Sequence, residues 1–182
     1  MPVATRAPHP AGSAVLAGPA GSAGSAVLAG PAGLGPAQLI AVAERLCQAV
    51  DPGQPRPDGH GRWWRHLGQA TEWEAWLEGW PAGDRIELHD HGGSATAIRV
   101  VAGRLLETAV GTGGRLTRRR LEAGSTTWLP PSHVHDLVNV DAVPALSVHV
   151  YSPPLRTMTY YTQASGASPV PVRQEIVHAI AR

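Results

Sequence analysis

The sequence GDRIELHDHGGSATAIRVVAG, residues 83–103, contains two histidines, His89 and His91, that are separated by one residue. Side chains alternate between the faces of a β-strand, so both imidazoles would project from the same face and could bind one metal ion. A second stretch, GSTTWLPPSHVHDLVN at residues 124–139, offers His135 as a third ligand from a neighbouring strand. Zinc, copper, iron, nickel and manganese all accept imidazole, so these residue types predict a metal site without selecting the metal.

The residues around these two stretches follow the pattern of many short β-strands. The predicted strands are 73–80, 86–91, 96–101, 105–110, 116–122, 126–129, 133–140, 145–151 and 156–162. Glycine-rich turns separate several of them, and no helical pattern lies between them. The sequence therefore predicts a mainly β fold, a sandwich or small barrel.

The first 34 residues have a different composition from the rest of the chain. They contain a duplication, GSAVLAGPAG at residues 12–21 and again at 24–33. Ala, Gly, Ser and Pro without aromatic residues bury too little surface to offset chain entropy, which predicts a disordered tail at residues 1–34. A signal peptide for export is the alternative, but Gly and Pro interrupt the apolar stretches every few residues.

A helix is predicted between this tail and the strands. Residues 36–50 begin with a proline, which is tolerated at the first helical position, and their apolar residues recur at helical spacing. We therefore expect residues 35–168 to form one domain with an N-terminal helix. Residues 169–182 are expected to form a C-terminal tail or a short helix.

Composition limits the function of the chain. Its 182 residues suit one domain plus tails. A net charge of +1 gives no overall field for nucleic acid or membrane, and no apolar run approaches the ~20 residues that cross a bilayer. Cys47 is the single cysteine, so an intramolecular disulfide is impossible, which is compatible with a reducing cytoplasm. We predict a cytoplasmic monomer with small-molecule partners.

The two histidine-containing stretches resemble the paired motifs of the cupin β-barrels. In the first motif Gly83, His89, His91 and Gly103 match, whereas Thr96 occupies the position of the family's glutamate. The resemblance implies a single cupin domain.

The second cupin motif selects the third histidine. Its matching positions are Gly124, Pro130, His135 and Asn139, with Ser132 in place of the inner glycine. His133 would lie on the same face as His135 in a regular strand, but the cupin spacing selects His135.

A narrower resemblance lies at residues 145–154, ALSVHVYSPP. This segment is similar to the Ser-x-His-x-Tyr-Ser-Pro-Pro segment of bacterial and animal cysteine dioxygenases, which also replace the cupin glutamate. The resemblance implies a non-haem Fe(II) enzyme with His89, His91 and His135 as the iron ligands. Such an enzyme adds both atoms of dioxygen to the sulfur of L-cysteine and produces cysteine sulfinate.

The same resemblance assigns roles to four further residues. Arg65 looks like the counterpart of the arginine that binds the substrate carboxylate. Ser147, His149 and Tyr151 are spaced by two and share a strand face, which predicts a catalytic hydrogen-bonded row that ends in the Tyr151 hydroxyl beside the substrate. The cysteine that animal members join to this tyrosine corresponds to Thr96 here, so the crosslink is absent.

Two alternatives remain at this stage. Dioxygenases of 3-mercaptopropionate and similar thiols resemble this sequence closely, but they typically have glutamine where Arg65 stands. A metal-binding cupin without catalysis would require neither Arg65 nor the row on residues 147–151.

Overall fold

The computed structural model describes residues 33–53, 61–163 and 166–177. Within these residues one α-helix, α1 (Pro36–Cys47), precedes eleven strands. The strands are β1 (Trp63–Gln69), β2 (Glu74–Trp80), β3 (Arg85–His89), β4 (Ala95–Ala102), β5 (Arg104–Val110), β6 (Leu116–Glu122), β7 (Thr126–Leu129), β8 (His135–Val138), β9 (Ala145–Ser152), β10 (Thr157–Thr162) and β11 (Val170–Ile176). The predicted mainly β fold with an N-terminal helix is confirmed. The predicted disordered tail lies outside the described residues, except for its last two positions.

The strands form two antiparallel sheets. The first has the order β1-β2-β9-β4-β7 and the second the order β11-β10-β3-β8-β5-β6. A buried cluster between the sheets includes Trp80 and Ile98 from the first sheet and Leu105 and Leu137 from the second. The architecture is the cupin fold expected from the two motifs.

Strand β9 lies at the centre of the first sheet and is buried along its whole length. Val148 and Val150 pack with Leu39 and Ala43 of α1, so the helix covers the outer face of this sheet. Because side chains alternate along a strand, Ser147 and its odd-numbered neighbours face the other sheet. The helix therefore shields the apolar outer face from solvent, while the inner face carries polar side chains such as Ser147 and His149.

The C-terminal segment differs from its prediction. A tail or short helix was expected at residues 169–182, of which 178–182 lie outside the described ranges; Val170–Ile176 instead forms β11, which pairs antiparallel with β10. Pro171 has no backbone N–H and would interrupt a helix, whereas the edge of a sheet tolerates it. Pro171 therefore favours an edge strand over a helix, which explains why the expected helix is not formed in this segment.

Other element bounds shift by a few residues. The strand predicted at 86–91 ends at His89, and the one predicted at 133–140 is shortened to His135–Val138. Strand β1 precedes the first strand predicted from the sequence. No helix in the described ranges is long and apolar enough to span a membrane.

Candidate metal and substrate site

Three histidines meet between the two sheets. His89 ends β3, His91 follows two residues later, and His135 begins β8 directly opposite His89. One nitrogen from each ring lies within 4.8 Å of the others, and all three side chains are buried. The ring centroids are 4.8 to 5.2 Å apart. The structure therefore brings the three predicted ligands close enough together that they could hold one metal ion.

Hydrogen bonds fix the orientation of His89 and His91. Nδ1 of His89 donates to the backbone oxygen of Glu87 at 2.7 Å, and Nδ1 of His91 lies 3.0 Å from Oγ1 of Thr96. Both contacts engage Nδ1 and leave Nε2 as the ligand atom. Thr96, which replaces the motif glutamate, therefore orients the candidate ligand His91 through its hydroxyl.

His135 is oriented by a buried carboxylate, Glu107. Oε1 of Glu107 accepts hydrogen bonds from Nδ1 of His135 at 2.9 Å and from Nε2 of His133 at 3.1 Å, and its other oxygen contacts Nε of Arg119. Burial alone would raise the pKa of Glu107, but these donors hold it well below its usual value. Nε2 of His135 is buried without a hydrogen-bond partner among the described residues.

The contact with Glu107 separates His133 from the metal site. Its ring belongs to a group with Glu107 and His135 and not to the three-histidine group. The cupin spacing, which selected His135 over His133, agrees with this geometry.

Burial makes the three candidate ligands neutral. It lowers the pKa of His89 and of His91 well below the ordinary value, and the neighbouring imidazoles lower both further. Burial also lowers the pKa of His135, although hydrogen bonding to Glu107 opposes this shift. Neutral imidazole is the form that binds metal ions, so the site is prepared to bind one near neutral pH.

The predicted row on β9 is also formed. Oγ of Ser147 lies 2.9 Å from Nε2 of His149, and the Tyr151 hydroxyl lies 3.4 Å from Nδ1 of the same ring. Nε1 of Trp80, which can only donate, gives its hydrogen to Oγ of Ser147 at 2.8 Å. The Ser147 hydroxyl can then donate to Nε2 of His149, which leaves the hydrogen of this neutral ring on Nδ1, facing Tyr151.

Tyr151 connects this row to the histidine cluster. Its ring centroid lies 5.2 Å from that of His91. Burial, with the charges of Glu78 and Glu74, raises the pKa of Tyr151 well above its usual value, and burial lowers the pKa of His149 to about 3. The phenol therefore stays protonated and the imidazole stays neutral at ordinary pH.

The structure does not bring Arg65 to the site, which corrects the sequence-based assignment. Arg65 is exposed on the edge strand β1 and pairs with Leu77, which packs beneath α1 on the outer face of the sheet. Paired residues of neighbouring strands share a face, so Arg65 lies on the side away from the histidines. The motif resemblance placed the arginine close in sequence but on the wrong face.

Arg62 is the arginine on the inner side. Its guanidinium lies over the rings of Trp64 and Trp80, at 5.1 and 4.7 Å from their centroids. Its side chain is 10% exposed, and its Nε lies 3.6 Å from a carboxylate oxygen of Asp84. Nε and Nη1 are buried without hydrogen-bond partners among the described residues.

The charge of Arg62 reaches the site. Its proximity contributes to the lowered pKa values of both His89 and His149. Alternation along the strand places Arg62 on the same face as Trp64 and His66, and this could be predicted from the sequence. Only the pairing of Trp64 with Glu78 in the structure shows that this face is turned toward the other sheet.

The chain is similar to several solved structures. Solved structures similar to it include TT1209 from Thermus thermophilus, with 21% identity, a TM-score of 0.48 and coverage of 55% of this chain and 90% of that one. KdgF from Halomonas sp. has 19% identity, a TM-score of 0.47 and coverage of 54% and 84%. A recombinant oxalate oxidase in complex with glycolate has 21% identity, a TM-score of 0.47 and coverage of 57% and 55%.

Comparison at the level of sequence gives two results. No curated protein matches the chain significantly. The family model described as cysteine dioxygenase type I matches residues 56–164, which contain all three histidines and the row on β9. This match covers more than half of the sequence, and the chain therefore belongs to the cysteine dioxygenase type I family.

Proposed function

We propose that the protein is an Fe(II)-dependent thiol dioxygenase that converts L-cysteine and dioxygen to cysteine sulfinate. The observation that carries the proposal is the cluster of three buried, neutral imidazoles opposite the Ser147–His149–Tyr151 row. Membership of the cysteine dioxygenase type I family favours metal-dependent oxygenase chemistry at such a cluster.

The residues fit a metal ion. Nε2 of His135 is a buried acceptor without a partner in the described structure, and a cation is the group that would satisfy it. Three imidazoles accept Fe(II), and no carboxylate ligand stands among them to neutralise its double charge. A bound ferrous ion would activate dioxygen and favour the thiolate form of the substrate, whose sulfur provides the four electrons of the overall oxidation.

Arg62 is the residue proposed to bind the substrate carboxylate. Its Nη1 is buried and lacks a hydrogen-bond partner among the described groups, whereas Nε lies 3.6 Å from a carboxylate oxygen of Asp84, so the Nη1 side of the guanidinium is available to a substrate carboxylate. The planar guanidinium can bind both carboxylate oxygens at once, which would orient the substrate as well as attract it. Trp64 and Trp80 stack against this group and limit its movement.

Tyr151 is proposed as the hydrogen-bond donor at the reacting atoms. When Nε2 of His149 accepts from Ser147, Nδ1 carries the ring hydrogen and lies 3.4 Å from the phenol oxygen and 3.5 Å from Oε1 of Glu78, so the phenol hydrogen can point away from His149. The raised pKa of Tyr151 keeps that hydrogen in place at neutral pH. The hydrogen bonds from Trp80 through Ser147 to His149 then fix the orientation of the Tyr151 hydroxyl, and all of these groups stay uncharged.

A second candidate substrate is 3-mercaptopropionate. It carries the same carboxylate as L-cysteine but lacks the amine, so binding by Arg62 is compatible with either thiol. A metal-binding protein without catalysis is less well supported, because metal binding alone requires neither the β9 row nor Arg62.

Oxygen uptake by the iron-loaded protein tests the proposal. L-Cysteine should produce consumption of one dioxygen per sulfinate formed, and cysteamine, which has no carboxylate, should react poorly. Faster turnover of 3-mercaptopropionate than of L-cysteine would favour the second candidate. Absence of uptake with all three thiols would exclude a small-thiol dioxygenase.

A further inference from the structure

The three candidate ligands differ in what lies behind them. Nδ1 of His89 meets a backbone carbonyl and Nδ1 of His91 meets a hydroxyl, both uncharged. Nδ1 of His135 meets the carboxylate of Glu107. One imidazole of the cluster therefore has an anion behind it, and the other two do not.

The position of Glu107 makes this contact strong. Its side chain is fully buried on β5, between β8 and β6. Oε1 accepts from His135 and His133, and Oε2 accepts from Arg119, which lies directly opposite on β6. A buried carboxylate with three donors remains ionised and holds its partners in fixed orientations.

We propose that Glu107 is a positioning residue that acts on the metal through His135. It fixes the tautomer that leaves Nε2 free, and it makes this imidazole a stronger electron donor than the other two. Arg119 offsets part of the negative charge from the far side of the carboxylate. The inference rests on the proposed ferrous site. The three proposed ligands are uncharged, and Glu107 places a negative charge directly behind one of them, His135.

A second metal site at Glu107, His133 and His135 is a weaker interpretation of the same geometry. Their ligand atoms lie within 4.8 Å of one another. However, the two imidazoles already donate hydrogen bonds to Glu107, and the cation of Arg119 contacts its remaining oxygen. Because both carboxylate oxygens of Glu107 are already hydrogen-bonded and Arg119 already offsets its charge, the geometry does not favour a metal ion at this cluster.

The test compares three single variants with the full-length wild type. Glu107→Gln keeps the shape of the side chain and removes its charge, whereas Arg119→Gln removes the opposing cation. Glu122→Gln is the matched control, because Glu122 is an exposed carboxylate on β6 that pairs with Arg104. The measurements are the dissociation constant for Co(II), by competition with a chromophoric chelator, and the midpoint potential of the Fe(III)/Fe(II) couple in the iron-loaded protein.

Glu107→Gln should weaken metal binding by about 10- to 100-fold. It should also make the potential more positive, because loss of a nearby anion favours the ferrous form. Arg119→Gln should shift the potential in the opposite direction, and Glu122→Gln should change neither quantity. A loss of packing alone would not produce opposite shifts.

Wild-type affinity and potential in Glu107→Gln would overturn the inference. If that variant does not fold, a potential in Arg119→Gln that is unchanged or more positive would overturn it. These outcomes can be distinguished from a failure of the proposed function. A wild type that binds metal without oxidising any thiol would refute the dioxygenase, while the affinity difference would still support the role of Glu107.

Discussion

Strands β9 and β1 belong to the same sheet, but the structure agrees with the arrangement predicted from sequence on only one of them. On β9, Ser147, His149 and Tyr151 were predicted to share a face, and the structure brings them together. At β1, Arg65 was predicted, whereas Arg62 lies on the inner side. Alternation along a strand therefore predicts which residues share a face, but it does not predict which face is turned inward.

The difference has a structural cause. Strand β9 is paired on both sides, with β2 and β4, and is buried on both faces, so its register is determined twice. Strand β1 is an edge strand with one neighbour, so its register is determined from one side only. A shift of one residue at such an edge reverses the two faces.

The largest expected effect concerns the third ligand. His135→Ala should abolish most metal binding, because a site with two imidazoles has lost a third of its protein donors. His133→Ala should retain most of it, since His133 contacts Glu107 and not the three-histidine group. Metal content after dialysis, measured by elemental analysis, distinguishes the two. Full metal in His135→Ala together with loss in His133→Ala would show that the third ligand is misassigned.

The next effect compares the two arginines directly. Arg62→Ala should cost about 2–5 kcal/mol of substrate binding, the penalty for an unpaired buried charge, which corresponds to roughly 30-fold to several thousand-fold in kcat/KM. Arg65→Ala should change kcat/KM by less than about twofold, because its side chain is exposed on the opposite face. Steady-state oxygen uptake with L-cysteine provides the measurement, and metal content should be unchanged in both. A large loss in Arg65→Ala with none in Arg62→Ala would reverse the assignment.

A smaller effect is expected at the end of the β9 row. Tyr151→Phe should lower kcat by about 10²-fold or more while KM changes little, since a positioned proton donor typically contributes this much in the transition state. The ring, which lies beside His91, is kept, so the change isolates the hydroxyl. If KM rose instead and kcat stayed constant, Tyr151 would be a substrate-binding residue alone.

Much of the fold and of the metal site could be predicted from the sequence, because the information is local. His89 and His91 are two residues apart, and the second motif specifies His135 within a short window. Glu107 could not be predicted, since it lies 28 residues from His135 and only the pairing of β5 with β8 brings the two together. Strand β11 was not predicted, because a segment that contains Pro171 can be a strand only at a sheet edge, and the position of the edge is not visible in the sequence.

The smallest effect tests whether the packing of β1 on β2 positions Arg62. Gly79 of β2 lies opposite Trp63 of β1, and a Cβ added at Gly79 would lie 2.2 Å from the indole. Gly79→Ala should therefore displace Trp63 and cost about 1–3 kcal/mol of stability by overpacking. Because Arg62 precedes Trp63, the Michaelis constant should rise a few-fold, while metal affinity, set by the second sheet and the residues that follow β3, should not change.

Two further variants make this prediction specific. Gly61→Ala is the control, because Gly61 also lies beside Arg62 but a Cβ there meets nothing within 4 Å. Trp63→Ala combined with Gly79→Ala removes the clash, so the double variant should lose less stability than the two single changes together. Thermal unfolding should show a decrease of roughly 2–4 °C for each kcal/mol lost. If Gly79→Ala lowered the melting temperature but left the Michaelis constant at the wild-type value, the Trp63 contact would stabilise the sheet edge without positioning Arg62, and the segment before β1 would have to hold the arginine by itself.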